Sequence, residues 1–357
     1  MAPASKPRLS ASETFGLVVA IAKTLSVASF TFITALFRGR SGHRLLFRHV
    51  AHRALRTMNG QATARQIQAI NPPTDEAYAS FAKSHGFEKN IVDLPTSGGK
   101  ILWMGNPSSP KVMVCFHGGG YVYPAAAQFG WCWDLLKKGG IGQDTAVAIL
   151  SMSLAPAAQY PTQLRQAVEM LEHLTRNAGK RPEDIIIEGD SGGAQLGLAL
   201  VSHLLHPHPL IPALKLSGSL AGLALISPWV TPKTTSNSFT RNGGRDLVNG
   251  HVLSRWASYA LGSASLDEYN APVTANATWW NGIKSAVKNI IVTAGTEEVL
   301  FDDIQTLVGL LEPSMPDMQV LFVEETHDQP LMDPLLGMKE DCESSEAVKS
   351  WIASNFE

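Results

Sequence analysis

From Phe15 to Phe37 the chain is a nearly unbroken run of apolar and hydroxyl-bearing residues, with Lys23 as its single charge. As a helix it is about long enough to cross a bilayer. Leu45 to Ile70 then alternates apolar with basic or polar residues at helical spacing, and Asn71-Pro72-Pro73 stops it. Residues 1–85 therefore read as a helical N-terminal extension. After that the period changes. Ile91 to Leu94 and Ile101 to Met104 read as strands joined through Ser97-Gly98-Gly99, a hairpin signal. Val112 to Phe116 is apolar throughout, as a buried strand is. From there strands (Thr145 to Leu150, Ile185 to Ile187, Leu220 to Ile226, Ile290 to Thr293, Val320 to Val323) alternate with helices (Thr162 to Thr175, Gly192 to Leu205, Ser344 to Ala353). This order predicts an α/β fold with a mostly parallel central sheet and helices on both faces. The rhythm breaks at about 228–280, where Trp229, Trp256, Tyr259, Trp279 and Trp280 accumulate. That segment reads as an insertion able to join the N-terminal helices as a helical cap on a domain spanning 86–357.

Composition adds mainly exclusions. Hydrophobic residues make up 45% of the 357, enough for a large core. A formal charge of −2 gives no reason to expect nucleic acid as a partner. Cys115, Cys132 and Cys342 form no disulfide framework, and Cys115 sits in an apolar run as a small buried hydrophobe. A reducing, intracellular setting fits. Phe15 to Phe37 lacks the short apolar block and cleavage site of a secretory signal. Arg38, Arg40, Arg44, Arg48 and Arg53 follow it, a flank suited to anionic headgroups. Two readings stand for this segment: membrane association, or a helix packed on the body of the protein.

The chemistry concentrates in three places. In Gly189-Asp190-Ser191-Gly192-Gly193 a strand precedes the serine and an apolar helix follows it. A sharp strand-to-helix turn projects a serine hydroxyl where a histidine can take its proton, and flanking glycines remove colliding side chains. The same five residues surround the nucleophile of chymotrypsin-like proteases, but those are all-β and place histidine and aspartate before the serine. His117-Gly118-Gly119-Gly120 closes the strand Val112 to Phe116. Its amides can approach a substrate oxygen with no Cβ in the way and stabilise a tetrahedral oxyanion. No Lys-Ser/Thr follows, which excludes a phosphate-cradling loop of the common kind. Two later strands end in loops carrying Glu297, Glu298, Asp302 and Asp303, and Glu325-Thr326-His327-Asp328. His327 is the one histidine C-terminal to the acid cluster. No histidine–carboxylate spacing resembles a zinc site, so neither metal nor other cofactor is expected.

Together the glycine loop, the serine turn, Ile226-Ser227-Pro228-Trp229 and the acid and histidine loops resemble the hormone-sensitive-lipase-like branch of the α/β-hydrolases, from about residue 90 onward. The N-terminal helices resemble the extension of its fungal members. The resemblance implies a carboxylesterase-type serine hydrolase acting on a small or natural-product ester, deacetylation included, as in secondary metabolism. In the family the acid stands three residues after the glycine of a G-x-x-D-x-L-x-D pattern. Here that position is Glu298, with Asp302 as fallback and Glu297 as a weaker one. The implied site is Ser191, Glu298 and His327, with Gly118, Gly119, Gly120 and Gly192 forming the oxyanion hole, the last three by their N–H groups and Gly118 by completing the turn. The chain departs from the pattern at Glu298 (commonly Asp), Gly192 (commonly Ala) and Thr326 (commonly Gly before the histidine). These departures keep a second class open: a lyase, cyclase or binding protein that uses the pocket without an acyl-enzyme. A membrane-anchored structural protein, the third class, rests on Phe15 to Phe37 alone.

Overall fold

The computed structural model describes residues 6–37, 42–138, 141 and 144–356. Helix α1 (Ala11–Thr34) opens with a capping box in which Ser10 and Glu13 bond each other's backbone N–H, and ends in a 3-10 turn, Ala35–Phe37. Arg38 and Arg40 of the basic flank lie outside the described residues. The single helix expected over Leu45 to Ile70 is two, α2 (Leu46–Gln61) and α3 (Ala64–Ile70). Thr63 breaks it: its hydroxyl accepts the Gln66 N–H while the Gln66 side chain accepts the Thr63 N–H at 2.8 Å. Helix α4 (Thr74–His85) ends at Gly86, whose φ of 70° closes it in the left-handed region.

Eight strands form one sheet: β1 (Asn90–Asp93), β2 (Lys100–Met104), β3 (Lys111–Phe116), β4 (Thr145–Ser151), β5 (Ile185–Asp190), β6 (Leu220–Ile226), β7 (Val287–Gly295) and β8 (Gln319–Val323), in the order β1-β2-β4-β3-β5-β6-β7-β8. β1 and β2 are the expected antiparallel hairpin, β2 also pairs antiparallel with β4, and every other pairing is parallel. Helices α5 (Ala127–Lys137), α6 (Thr162–Glu172), α7 (Gly192–Leu205), α8 (Asn237–Asn242), α9 (Gly250–Leu261), α10 (Phe301–Leu311), α11 (Gln329–Leu335) and α12 (Glu343–Asn355) complete the chain.

Successive residues of the central strands point to opposite faces, so each strand feeds two cores. Val112, Val114, Ile185 and Ile187 pack with residues of α6 and α7, whereas Met113, Cys115 and Ile186 pack with residues of α5 and α12. Both faces are therefore covered, which is why β5 is buried at every position. The register pairs Phe116 with Gly189, Asp190 with Ile226 and Gly295 with Val323. The carboxyl ends of β3, β5, β6, β7 and β8 thus meet along one edge, and the loops beyond them carry the candidate residues. Above that edge the N-terminal helices meet the 228–280 segment: Arg255 of α9 donates to the carbonyls of Gly60 and Ala62, and Arg56 of α2 donates to that of Gly244.

Candidate active site

Ser191 occupies the turn between β5 and α7 with φ 50° and ψ −114°, a conformation that costs energy for a residue with a side chain. Its N–H donates to Ile226 O at 2.9 Å, anchoring the turn to β6. The flanking glycines are steric requirements, since a Cβ on Gly193 would lie 1.8 Å from Phe116 O and one on Gly189 2.6 Å from the Gly193 carbonyl carbon. A Cβ on Gly192, by contrast, would meet the Tyr121 ring at an ordinary 3.5 Å. The alanine common at this position would fit.

The glycine loop lies against this turn. The Gly118 N–H donates to Asp190 Oδ1 at 2.9 Å, so this amide fastens the loop to the turn and is not available to an oxyanion. The N–H groups of Gly119, Gly120 and Gly192 have no acceptor among the described residues. Asp190 also accepts from Gln128 Nε2 at 2.9 Å, and burial pushes its carboxyl up to about 6. Burial pushes His117 down to about 4, so its imidazole is neutral, and it contacts the Gly118 carbonyl.

The β7 and β8 loops bring up the remaining groups. His327 Nε2 lies 2.9 Å from Ser191 Oγ, and His327 Nδ1 lies 2.7 Å from Glu298 Oε2. Glu298 is fully buried, and its other oxygen accepts the Gly295 N–H at 2.9 Å. The two fallback acids are engaged elsewhere. Asp302 accepts from Ser238 N and Arg241, and Glu297 accepts from Arg245. Among the acids weighed from sequence, Glu298 is the one that touches the histidine.

Two further acids belong to the site and carry no sequence signature. Asp246, between α8 and α9, is fully buried and accepts N–H bonds from His327 (3.1 Å), Leu247 (2.7 Å) and Val299 (2.7 Å). It ties the histidine loop and the acid loop to the 228–280 segment. Burial raises its carboxyl to about 6 against the pull of His327, with Glu298 adding to the rise. Asp328, held at φ 51°, donates its N–H to Ser227 Oγ and places Oδ2 3.2 Å from His327 Nε2. Burial pulls the His327 imidazole down, but the carboxylates of Asp328, Glu298 and Asp246 outweigh it and raise it to about 10. Burial pushes Asp328 well above the carboxylate range as well, against the pull of His327. The two groups therefore compete for one proton. When Asp328 takes it, His327 is neutral and can act as a base.

An open cleft leads to Ser191 and His327. Leu247, Val248, Trp256, Leu331, Met332 and Leu335 give it apolar walls, and Leu55 and Asn59 of α2 contribute to the lining. Of the five aromatic residues counted in the 228–280 segment, only Trp256 lines this cleft. Trp280 is fully buried, and Trp279 packs on His206 and Tyr269. Among the described residues one group of donor atoms converges away from the cleft: Cys115, Cys132 and Glu188, all buried, within 4.8 Å of one another. Burial and Asp190 push Glu188 up to about 8, and both thiols are raised.

Residues 113–342 match the family described as alpha/beta hydrolase fold. An esterase from Acinetobacter venetianus is 37% identical over 95 residues, a match spanning 27% of this chain and 28% of that protein's length. An esterase of the bacterial hormone-sensitive lipase family superposes with a TM-score of 0.61 at 18% identity, covering 98% of each chain. The crystal structure of EstE5 soaked with p-nitrophenyl butyrate gives a TM-score of 0.63 at 21% identity, covering 87% of this chain and 98% of that one. The fold, its sheet order and the family match agree, and the chain belongs to the α/β-hydrolase fold family.

Proposed function

We propose that this protein is a serine esterase whose nucleophile is Ser191. His327 Nε2 takes the proton of Ser191 Oγ as the oxygen attacks an ester carbonyl, and Glu298 holds the imidazole in the required tautomer and stabilises its charge. The amides of Gly119, Gly120 and Gly192 receive the oxyanion, each typically worth a few kcal/mol. His327 then protonates the leaving alcohol and activates the water that releases the acyl group. The observation carrying this reading is the unbroken contact chain from Ser191 Oγ through His327 to Glu298, at 2.9 and 2.7 Å. The esterases similar to this chain support it. The apolar walls favour an ester with an apolar acyl or alcohol part, with α2 and the 228–280 segment acting together as the cap.

Turnover of p-nitrophenyl butyrate tests the reading. Ser191→Ala should lower kcat by at least about a thousandfold with the protein still folded. Retention of wild-type turnover by that variant would exclude the acyl-enzyme route. A second reading rests on Asp328, which competes with Ser191 for His327 Nε2. A site dominated by that ion pair would bind or rearrange substrate without forming an acyl-enzyme, and would leave the wild type inert towards such esters.

A further inference from the structure

Helix α1 turns its apolar side outward. Leu17, Ala20 and Thr31 face the body and are buried, whereas Phe15, Val18, Leu25, Phe30 and Ile33 are 58–71% exposed. A helix on the surface of a water-soluble domain carries charge on that side. Here the sole charged residue from Thr14 to Phe37 is Lys23, and an 18-residue window reaches a mean hydropathy of 1.8. Bonds along the helix fix how it lies. Glu13 O accepts from Gln66, Glu13 pairs with Arg65, and Thr24 contacts Met58, so α1 runs antiparallel to α2 and is held by its flank. While these bonds hold, α1 stays flat against α2 and α3 and cannot also cross a bilayer, so its outward face could meet a membrane only in the surface plane.

The direction of α1 also links it to the cleft. Its C-terminal end runs towards the start of α2, where Leu45, Leu46 and Phe47 are exposed. Arg48, the next residue, pairs with Asp333 of α11. The same short helix carries Leu335, which is exposed and lines the cleft. Charge identifies what this surface meets. Between Glu13 and Asp75 the chain has no Asp or Glu, and while Arg44, Arg48 and Arg65 pair with Glu324, Asp333 and Glu13, Lys23 of α1 and Arg53 of α2 are exposed. A second copy would set like charge against like, whereas an anionic lipid surface neutralises it.

We propose that the outward face of α1 docks in the plane of an anionic lipid bilayer, and that the cleft opens onto that surface to receive membrane-dissolved esters. The delivery half rests on the esterase reading, and the docking half does not. The test is sedimentation of the full chain with vesicles of phosphatidylcholine, with and without phosphatidylserine, beside a Val18→Glu/Leu25→Glu/Ile33→Glu variant. The wild type should bind the anionic vesicles more tightly, more weakly at high salt, and be released by alkaline carbonate. The variant should lose about tenfold or more of the bound fraction while turning over p-nitrophenyl acetate normally. Equal binding by variant and wild type, or no binding by either, overturns docking. Carbonate resistance overturns the in-plane placement in favour of a span. A lipid-free dimer that the variant dissociates makes a second copy the occupant and overturns the bilayer. Ser191→Ala should bind vesicles like the wild type, which separates docking from catalysis. For delivery, the wild type should hydrolyse a long-chain ester embedded in vesicles faster than the variant, with equal rates on soluble acetate. Equal rates on both substrates, with vesicle binding intact, would overturn delivery alone.

Discussion

Asp328 is one of three carboxylates that raise the His327 imidazole. A base must be neutral to accept the Ser191 proton, and every carboxylate facing it favours the protonated form. Asp328, Glu298 and Asp246 all raise the imidazole, Asp328 through its charge and Glu298 through both its hydrogen bond and its charge. Removing the Asp328 carboxylate lowers the histidine's affinity for a proton. Asp328→Asn should therefore move the acid limb of the kcat/KM profile to lower pH, by about one unit or more. An unchanged acid limb in a pH–rate series on p-nitrophenyl butyrate would mean that Asp328 does not share the proton. At this scale the sequence was informative where chemistry imposes a local pattern. Ser191 and His327 sit in loops at strand ends that the chain order exposes, and the family resemblance singled out Glu298 from its acidic loop. Asp328 adjoins His327, yet nothing in the chain order indicates that its side chain turns back on the imidazole. That orientation follows from φ 51° and the bond to Ser227.

Loops hold the site together through Asp246, a residue 81 positions from the histidine whose N–H it accepts. Replacing it with alanine leaves the N–H groups of His327, Leu247 and Val299 without their acceptor in a fully buried setting. Asp246→Ala should destabilise the fold by roughly 3–5 kcal/mol in urea unfolding. Among molecules still folded it should lower kcat more than it raises KM, because the loops it restrains carry the reacting groups. A loss below about 0.5 kcal/mol with normal kinetics would contradict this role. The legibility of elements followed their physics too. Strands such as β5 and β6 are short apolar runs bounded by turns, and were readable. The break at Thr63 was also written in the chain, as a Thr-x-x-Gln capping box inside a periodic stretch that masked it. Helix α5 carries Gly130 among bulky aromatics, and the short α11 carries Pro330 and Pro334, so neither advertises itself as a helix. Packing against the sheet and against each other supplies what their propensity lacks.

Across the whole molecule, a parallel sheet brings together groups that lie far apart in the chain. The glycine loop, Ser191, Glu298 and His327 follow β3, β5, β7 and β8, and the register of adjacent strands aligns those four ends. The order of strands and helices made that convergence legible before any contact was known. It also suggested that the N-terminal helices could join the 228–280 segment, but not how: α2 and that segment meet through Arg56 and Arg255, cations whose partners are backbone carbonyls. Such bonds leave no complementary charge in the sequence to find. The central claim is that this assembly makes Ser191 a nucleophile, and intact-protein mass spectrometry after treatment with a fluorophosphonate measures it directly. The account predicts one adduct, mapped to the Ser191 peptide, abolished by Ser191→Ala and formed more slowly in Glu298→Gln than in Asp302→Asn. An unmodified wild-type protein, an adduct that persists in Ser191→Ala, or a larger loss of labelling in Asp302→Asn would contradict it.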